Sequence, residues 1–467
     1  MIAKVTPSTA HGTVTAPPSK SMAHRYLICA ALSAGESVVR HIELSQDILA
    51  TMDCIRAMGG ECREDNGTVY VRGIGCRDYS GQQDMASASD SDLYSDLDSE
   101  KILPRMFPCR ESGSTVRFFL PLSMLLPGRK HFTGSEVLMT RPMSVYEKLW
   151  EEQGLTFVRE DGGITCEGQL HGGDITVSGS ISSQFITGLL FTLPMLAEDS
   201  TIHLLPPVES RSYIELTLKA LAKFGVTAEW IDDVTLFIKG GQNYKATEIT
   251  TEGDYSNAAF LDALNLIGGE VTVEGLEADS LQGDKVYLDY YEIFRRRCNG
   301  KNADQNADQS ADQSADQNAD QNADQNASQA IAQSCQGAFP VMDLTDCPDL
   351  GPVLMMLAGV LGGAIFTGTK RLKIKESDRG TVMCEELGRF GIKTKWEEDQ
   401  ITVFPSNIHT PYEVLHGHND HRIVMSLVLL SSIVGGEIDD AHAVNKSFPS
   451  FYKVMEQLGI QVEQYES

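Results

Sequence analysis

The chain has 467 residues, 42% of them hydrophobic and 22% charged, with a formal net charge of −27 at pH 7. That length holds two or more domains' worth of core, and that composition is globular, not fibrous or disordered. The acidic balance argues against a nucleic-acid partner, which calls for a basic face, and apolar runs such as "IVMSLVLLSSIVGG" fall short of the ~20 residues of a membrane span.

The opening "MIAKVTPSTA" lacks the apolar core of a signal peptide. Ten cysteines are scattered without a C-x-x-C pair, so reduced thiols in a cytoplasmic protein are expected. The charge is unevenly spread: seven acids between 78 and 100 and six between 302 and 326 carry about half of it. The first cluster lies in a Ser/Asp-rich stretch, about 78–104, and the second in a "NADQ" repeat, about 300–336. Neither has an apolar face to bury, so both are expected to be disordered surface insertions.

In chain order, "PPSKSMAHRYLICAALSAG" comes first. The prolines suit the entry to a helix, and Ser19 or Ser21 suits its cap. Lys20 and Arg25 sit at the positive end of that helix dipole, where cations are unfavourable unless an anion binds. A short strand, "ESVVRHIE", and an amphipathic helix, "DILATMDCIRAMGG", follow. The same sequence of elements returns around "ESGSTVRFFLPLSMLLPG", "SISSQFITGLLFTLPMLAED", "DYSNAAFLDALNLIGG", "DLTDCPDLGPVLMMLAGVLGG" and "GHNDHRIVMSLVLLSSIVGG", the fourth being the most divergent. Six copies of a βαβ-type unit predict an α/β protein of two lobes, three units in each. The first lobe is expected over 14–241. The second is expected over 1–13 plus 242–467, with the crossover near "KGGQNYKATE". Helices apolar all round are buried, leaving their N-termini to line a cleft between the lobes.

The polar residues at those helix tops are the candidates for chemistry. The first lobe supplies Lys20, Ser21, Arg25, Ser112, Gly113, Ser114, Arg117, Arg141, Ser182, Ser183 and Gln184; the second supplies Asp343, Lys375, Glu376, Arg379, Arg422 and Lys446. Singly, each reads equally well as a cap, a surface ion pair or a solvated charge. Together, hydroxyls, helix N–H groups and arginines suit phosphate and carboxylate, while Asp343 and Glu376 are the acids placed for proton transfer. His416, His418 and His421, and the trio Asp343, Asp346 and Asp349, have metal-like spacing, but no second ligand cluster accompanies them and no metal is expected. Neither GxxxxGK[ST] nor GxGxxG is present, so no nucleotide cofactor is indicated. Gly113 permits close backbone approach to an anion, or else merely a positive φ.

The segments "PPSKSMAHR", "ESGSTVR", "RPM", "SSQF", "KIKESDR", "NDHR" and "NKSFPSF", in that order, resemble the 5-enolpyruvylshikimate-3-phosphate synthase family across nearly the whole chain outside the two inserts. The resemblance implies an inside-out α/β barrel in each lobe, and transfer of an enolpyruvyl group from phosphoenolpyruvate to the 5-hydroxyl of shikimate 3-phosphate. It implies a step of aromatic amino acid biosynthesis, a glyphosate target, no cofactor, small anionic substrates and a monomer. By position, Lys20, Ser21, Arg25, Ser182, Ser183, Gln184, Ser210, Tyr213, Asp343 and Lys375 would hold shikimate 3-phosphate. Lys20, Gly113, Arg141, Gln184, Arg379, Arg422 and Lys446 would hold phosphoenolpyruvate, with Asp343, Glu376, Lys20 and Lys375 catalytic. Glu111 and Arg371 stand where many members of that family have asparagine. Transfer to another acceptor, such as UDP-N-acetylglucosamine, is the second reading. A catalytically silent anion-binding protein is the third, and the presence of both acids counts against it.

Overall fold

The computed structural model describes residues 1–75, 103–160, 162–308 and 339–466, with the backbone alone for 298–308. The acidic insert and most of the NADQ tract lie outside the described residues. The first residues of the tract continue a helix, Tyr287–Asp308. Its start is fixed by buried Tyr287, Tyr291 and Phe294, and extending a nucleated helix costs far less than starting one.

One strand order recurs through the molecule. Arg105–Pro108 runs parallel to Lys130–Thr133; that strand pairs antiparallel with Gly163–Glu167, which pairs antiparallel with Thr156–Glu160. The same arrangement is built on Gly173–Ser178 and on Val341–Asp343. In the first unit the leading strand comes from far along the chain, because Glu248–Thr250 lies parallel to Glu36–Arg40. The N-terminal strands are borrowed in the opposite sense. Ile2–Thr6 lies antiparallel between Gly436–Ile438 and Gln461–Tyr465, and His11–Thr15 pairs in parallel with Glu270–Glu274.

Six helices, beginning at Lys20, Gly113, Ser183, Tyr255, Gly351 and His421, form the interiors. Met22–Leu32 is buried without a break, as its lack of a polar face requires. The amphipathic helices cover the outside: Arg211–Lys223 turns Ile214, Leu216, Ala220 and Leu221 inward. There are two apolar cores, one drawn from Met22–Tyr244, the other from Ala3–Ala16 and Tyr255–Ile460. This is a two-lobe, inside-out α/β fold, with helices in the centre of each lobe and sheets around them.

The chain crosses between the lobes later than 242. Tyr244 packs in the first core and the parallel pairing of Glu248–Thr250 keeps the chain on the first lobe through residue 250. The crossing itself is double and hydrogen-bonded: Asp254 N donates to Pro17 O at 2.8 Å and Ser19 N to Glu252 O at 2.8 Å.

Five of the six interior helices start on a side-chain cap. Ser19, Ser112, Ser182, Asp254 and Asp420 accept from Met22, Thr115, Gln184, Asn257 and Arg422 N–H respectively. Each cap stops its helix at the cleft and satisfies one of the donors left over there.

Leu354, wholly buried in the second core, should cost about 2–5 kcal/mol when cut to alanine. Leu205, half exposed at the end of its strand, should cost about 0.5 kcal/mol or less. Urea unfolding of both variants checks the contrast.

Candidate functional site

A polar cleft lies between the lobes. Lys20, Ser21, Gly113, Arg141, Ser182, Ser183, Gln184, Ser210, Tyr213, Lys375 and Glu376 all line it, together with Asp47, Ser114, Arg117, Asp349 and Arg371. Its lining carries five cations and three acids, so a strongly acidic protein presents a locally cationic cleft.

On the first-lobe side, two guanidinium groups converge on the start of the Gly113–Ser123 helix. A methyl group on Gly113 would sit 2.7 Å from Arg141 Nη1 and 3.3 Å from Arg117 Nη1. Gly113 is not among the positive-φ residues, so its use is space and not backbone conformation. Arg117 Nη1 donates to Gln184 Oε1 at 2.6 Å, and Gln184 Nε2 donates to Ser114 Oγ at 2.8 Å. This chain fixes the Gln184 amide between two helix tops. The Nε atoms of Arg117 and Arg141 are buried with no hydrogen-bond partner among the described residues. Burial, with Arg141 beside it, lowers the Arg117 guanidinium to about 10.

Lys20 reaches Asp47 at 2.9 Å. Burial works to lower its ammonium, but Asp47 and Glu376 outweigh burial and raise it. Arg25 lies behind the cleft wall, not on it. Its Nη1 and Nη2 donate to the Ser21 and Tyr213 carbonyls at 2.7 and 2.9 Å, so it braces two lining residues from within.

On the second-lobe side the acids gather around Arg379, which is 1% exposed. Its Nε lies 2.8 Å from Asp420, Nη1 2.7 Å from Asp349 and Nη2 2.5 Å from Glu376. Asp349 also meets Lys375 at 3.1 Å and Arg422 at 3.6 Å. Burial pushes the Asp349 and Glu376 carboxyls up, but their cationic neighbours hold both well below the ordinary range. Both are therefore ionised in the ligand-free protein. Lys375 is the reverse: burial lowers its ammonium despite Asp349.

Asp343 is not in this cluster. It ends an edge strand, is exposed, and its carboxylate accepts from Thr345 N at 2.9 Å and Thr345 Oγ1 at 2.6 Å. The acid the fold turns into the cleft is Asp349, six residues on, at the mouth of the Gly351–Leu361 helix. Arg379 and Arg422 stand back from the main cleft, Arg422 in an adjoining chamber with Asp254 and Asp284. Lys446 is also outside the lining; it pairs with Glu111 and donates to Asn419 O at 2.6 Å. Arg371 meets Ser210 and Glu209, so Glu111 and Arg371 have separate partners. Of the histidines, His416 pairs with Asp439 and His418 with Glu386, while His421 is buried.

Asp47, Asp254 and Asp284 carry no signal in the sequence beyond being acids near helix starts. Only the packing of remote segments brings them to Lys20, whose N–H donates to Asp254 at 3.0 Å, and to Arg422.

A site that joins cationic helix tops from one lobe to an acid–lysine cluster from the other, within an inside-out α/β fold, belongs to a class of protein that holds small anions and moves protons between them. The family model for EPSP synthase (3-phosphoshikimate 1-carboxyvinyltransferase) matches residues 5–455. A 3-phosphoshikimate 1-carboxyvinyltransferase of Clostridium perfringens is 36% identical over 461 residues, covering 97% of each chain. The solved EPSP synthase of Acinetobacter baumannii superposes with a TM-score of 0.69 over 100% of each chain at 21% identity. The enolpyruvyl transferase NikO of Streptomyces tendae gives 0.65 over 99% of this chain and 98% of its own at 14% identity, so the last two report fold alone. The chain belongs to the EPSP synthase family.

Asp284 sets a testable pH dependence. Burial, with Asp349 nearby, raises its carboxyl from 3.8 to about 6. Between those values the unfolded chain loses the proton first, so this group's contribution falls as pH rises from about 4 to about 6 and is level above. Asp284→Asn should therefore raise the urea midpoint at pH 7 and leave it nearly unchanged at pH 3.5.

Proposed function

We infer that the cleft transfers the enolpyruvyl group of phosphoenolpyruvate to the 5-hydroxyl of shikimate 3-phosphate and releases phosphate. The observation that carries this is the convergence of Arg117 and Arg141 on Gly113, facing the ionised Asp349–Lys375–Glu376 cluster. One wall receives a small dianion or trianion at a helix N-terminus; the other holds groups that move protons. Ser21, Ser182, Ser183 and Ser210, with Tyr213 beside them, offer a second phosphate its donors next to the first.

The reaction forms a C–O bond between the acceptor oxygen and C2 of phosphoenolpyruvate while C3 gains a proton. It then loses a proton from C3 as the C2–O bond to phosphate breaks. Asp349 takes the hydroxyl proton once the bound phosphate and carboxylate groups draw off the cations that now hold its carboxyl down, Lys375 at 3.1 Å among them. Glu376, next to Lys20, exchanges the C3 proton. Free Glu376 is too acidic for that task, but bound carboxylate and phosphate groups repel its charge and compete for Arg141. Both effects raise its proton affinity toward the useful range. The cations are in place before charge accumulates, so the intermediate meets a preorganised field.

The free thiols, including Cys54 and Cys109 with sulfurs 3.9 Å apart, support a reducing, cytoplasmic setting. Among the described residues no helix is long and apolar enough to cross a membrane.

Phosphate release measured with phosphoenolpyruvate and either shikimate 3-phosphate or UDP-N-acetylglucosamine tests the reading; turnover is expected with the first only. Asp349→Asn and Glu376→Gln should each lower kcat by roughly 10²-fold or more, whereas Asp343→Asn should turn over at nearly the wild-type rate. Loss of activity in Asp343→Asn with a normal Asp349→Asn would return the role to Asp343.

Gly113→Ala puts a methyl against Arg141 and Arg117. The KM for phosphoenolpyruvate should rise several-fold and glyphosate inhibition should weaken further, with little change in the KM for shikimate 3-phosphate or in Tm. Parallel kinetics and thermal melts read all four.

A further inference from the structure

One charge pair in the cleft is not used by the reaction described above. Arg371 rises from the short turn Thr369–Ile374 of the second lobe and crosses to the first. Its Nη1 donates to Ser210 Oγ and, at 3.2 Å, back to Thr345 O. Its Nε lies 3.4 Å from Glu209 Oε2, and neither atom completes a hydrogen bond although both are buried. A guanidinium held by one hydroxyl, one carbonyl and an off-line carboxylate has not spent its donors well.

Its position points to what would use them. Arg371 lines the same cleft as Ser182, Ser183, Ser210 and Tyr213. Ser210 itself is pinned: its φ is 54° and its N–H donates to Asp346 Oδ1 at 2.6 Å. The Ser210 hydroxyl is thus fixed beside the Arg371 fork. Burial does most to lower Lys375 and Arg117, and Arg371 adds to both, so the cation reaches across the site. Glu209 is the resting counter-ion.

We propose that Arg371 grips the phosphate monoester of the acceptor from the second lobe, leaving Glu209 as it does so. This deepens the functional reading above and rests on it. Unlike Ser182, Ser183 and Ser210, which are first-lobe donors, Arg371 would make the acceptor's phosphate itself a bridge between lobes. Glu209 then acts as a competitor, setting how tightly that phosphate is held.

Calorimetric binding of shikimate 3-phosphate and of unphosphorylated shikimate, to wild type, Arg371→Gln, Arg371→Ala and Glu209→Gln, tests this. Thermal melts confirm that each variant is folded, and Arg371→Gln keeps most of the side-chain volume. Loss of one charge-assisted contact should weaken shikimate 3-phosphate about 10- to 100-fold. Shikimate binding and the KM for phosphoenolpyruvate should shift less than twofold. Glu209→Gln should tighten shikimate 3-phosphate several-fold. Equal losses for both acceptors, or no loss for either, would overturn the role of Arg371 while leaving the functional reading intact. Weaker binding in Glu209→Gln would overturn the competition. Failure of wild type to bind shikimate 3-phosphate at all would overturn the functional reading and this inference with it.

Discussion

The second lobe depends on one buried cation. A guanidinium as inaccessible as that of Arg379 is tolerated only because Asp349, Glu376 and Asp420 surround it. Removing any partner of such a cluster strands the others in a place water cannot reach. The three carboxylates belong to three different helix starts. Asp420 caps His421–Val434, Asp349 precedes Gly351–Leu361, and Glu376 precedes Arg379–Arg389. Arg379 therefore does more than neutralise charge: it holds three helix mouths in register, and with them the orientation of both acids that face the cleft.

The first lobe solves the same geometric problem with other chemistry. Its three interior helices begin on serine caps, and the groups around them are hydroxyls, an amide and guanidinium groups. Among the described residues nothing there resembles the carboxylate cluster, apart from Asp47 on Lys20. Repetition of one unit thus yields two unlike walls. One wall is rich in donors and suits anions; the other is rich in coupled acids and cations and suits proton movement. Neither wall alone contains both functions.

Much of this was legible in the sequence because repetition makes position meaningful. Six apolar segments preceded by polar residues fix where the helix tops are, and charges at those tops are visible without a structure. Other features were not legible. In "DLTDCPDL" three acids are spaced three apart, and only the strand end at Asp343 and the short turn Pro348–Leu350 decide that Asp349 turns inward. Arg25 and Arg379 look like ligand-binding arginines in sequence; in the ligand-free structure backbone carbonyls and threonine hydroxyls hold one and carboxylates hold the other. Charge type does not reveal whether a guanidinium is a wall or a brace. The lobe boundary was missed for a different reason. Strand pairing between Glu248–Thr250 and Glu36–Arg40 links segments some two hundred residues apart, and local composition cannot show it.

The N-terminal strand carries a consequence for how the molecule is made. Ile2–Thr6 is flanked on both sides by strands from the far end of the chain, Gly436–Ile438 and Gln461–Tyr465. On a ribosome the first lobe can close as soon as Glu248–Thr250 has emerged, whereas Ile2–Thr6 must wait for residues 436–438 and 461–465. At about 5–20 residues per second that wait is roughly ten to forty seconds. Throughout it, an apolar-patterned strand with both edges unpaired is tethered to a finished lobe. The pairing of Ile2–Thr6 is therefore among the last contacts the fold can make, because it needs residues 436–438 and 461–465 in place.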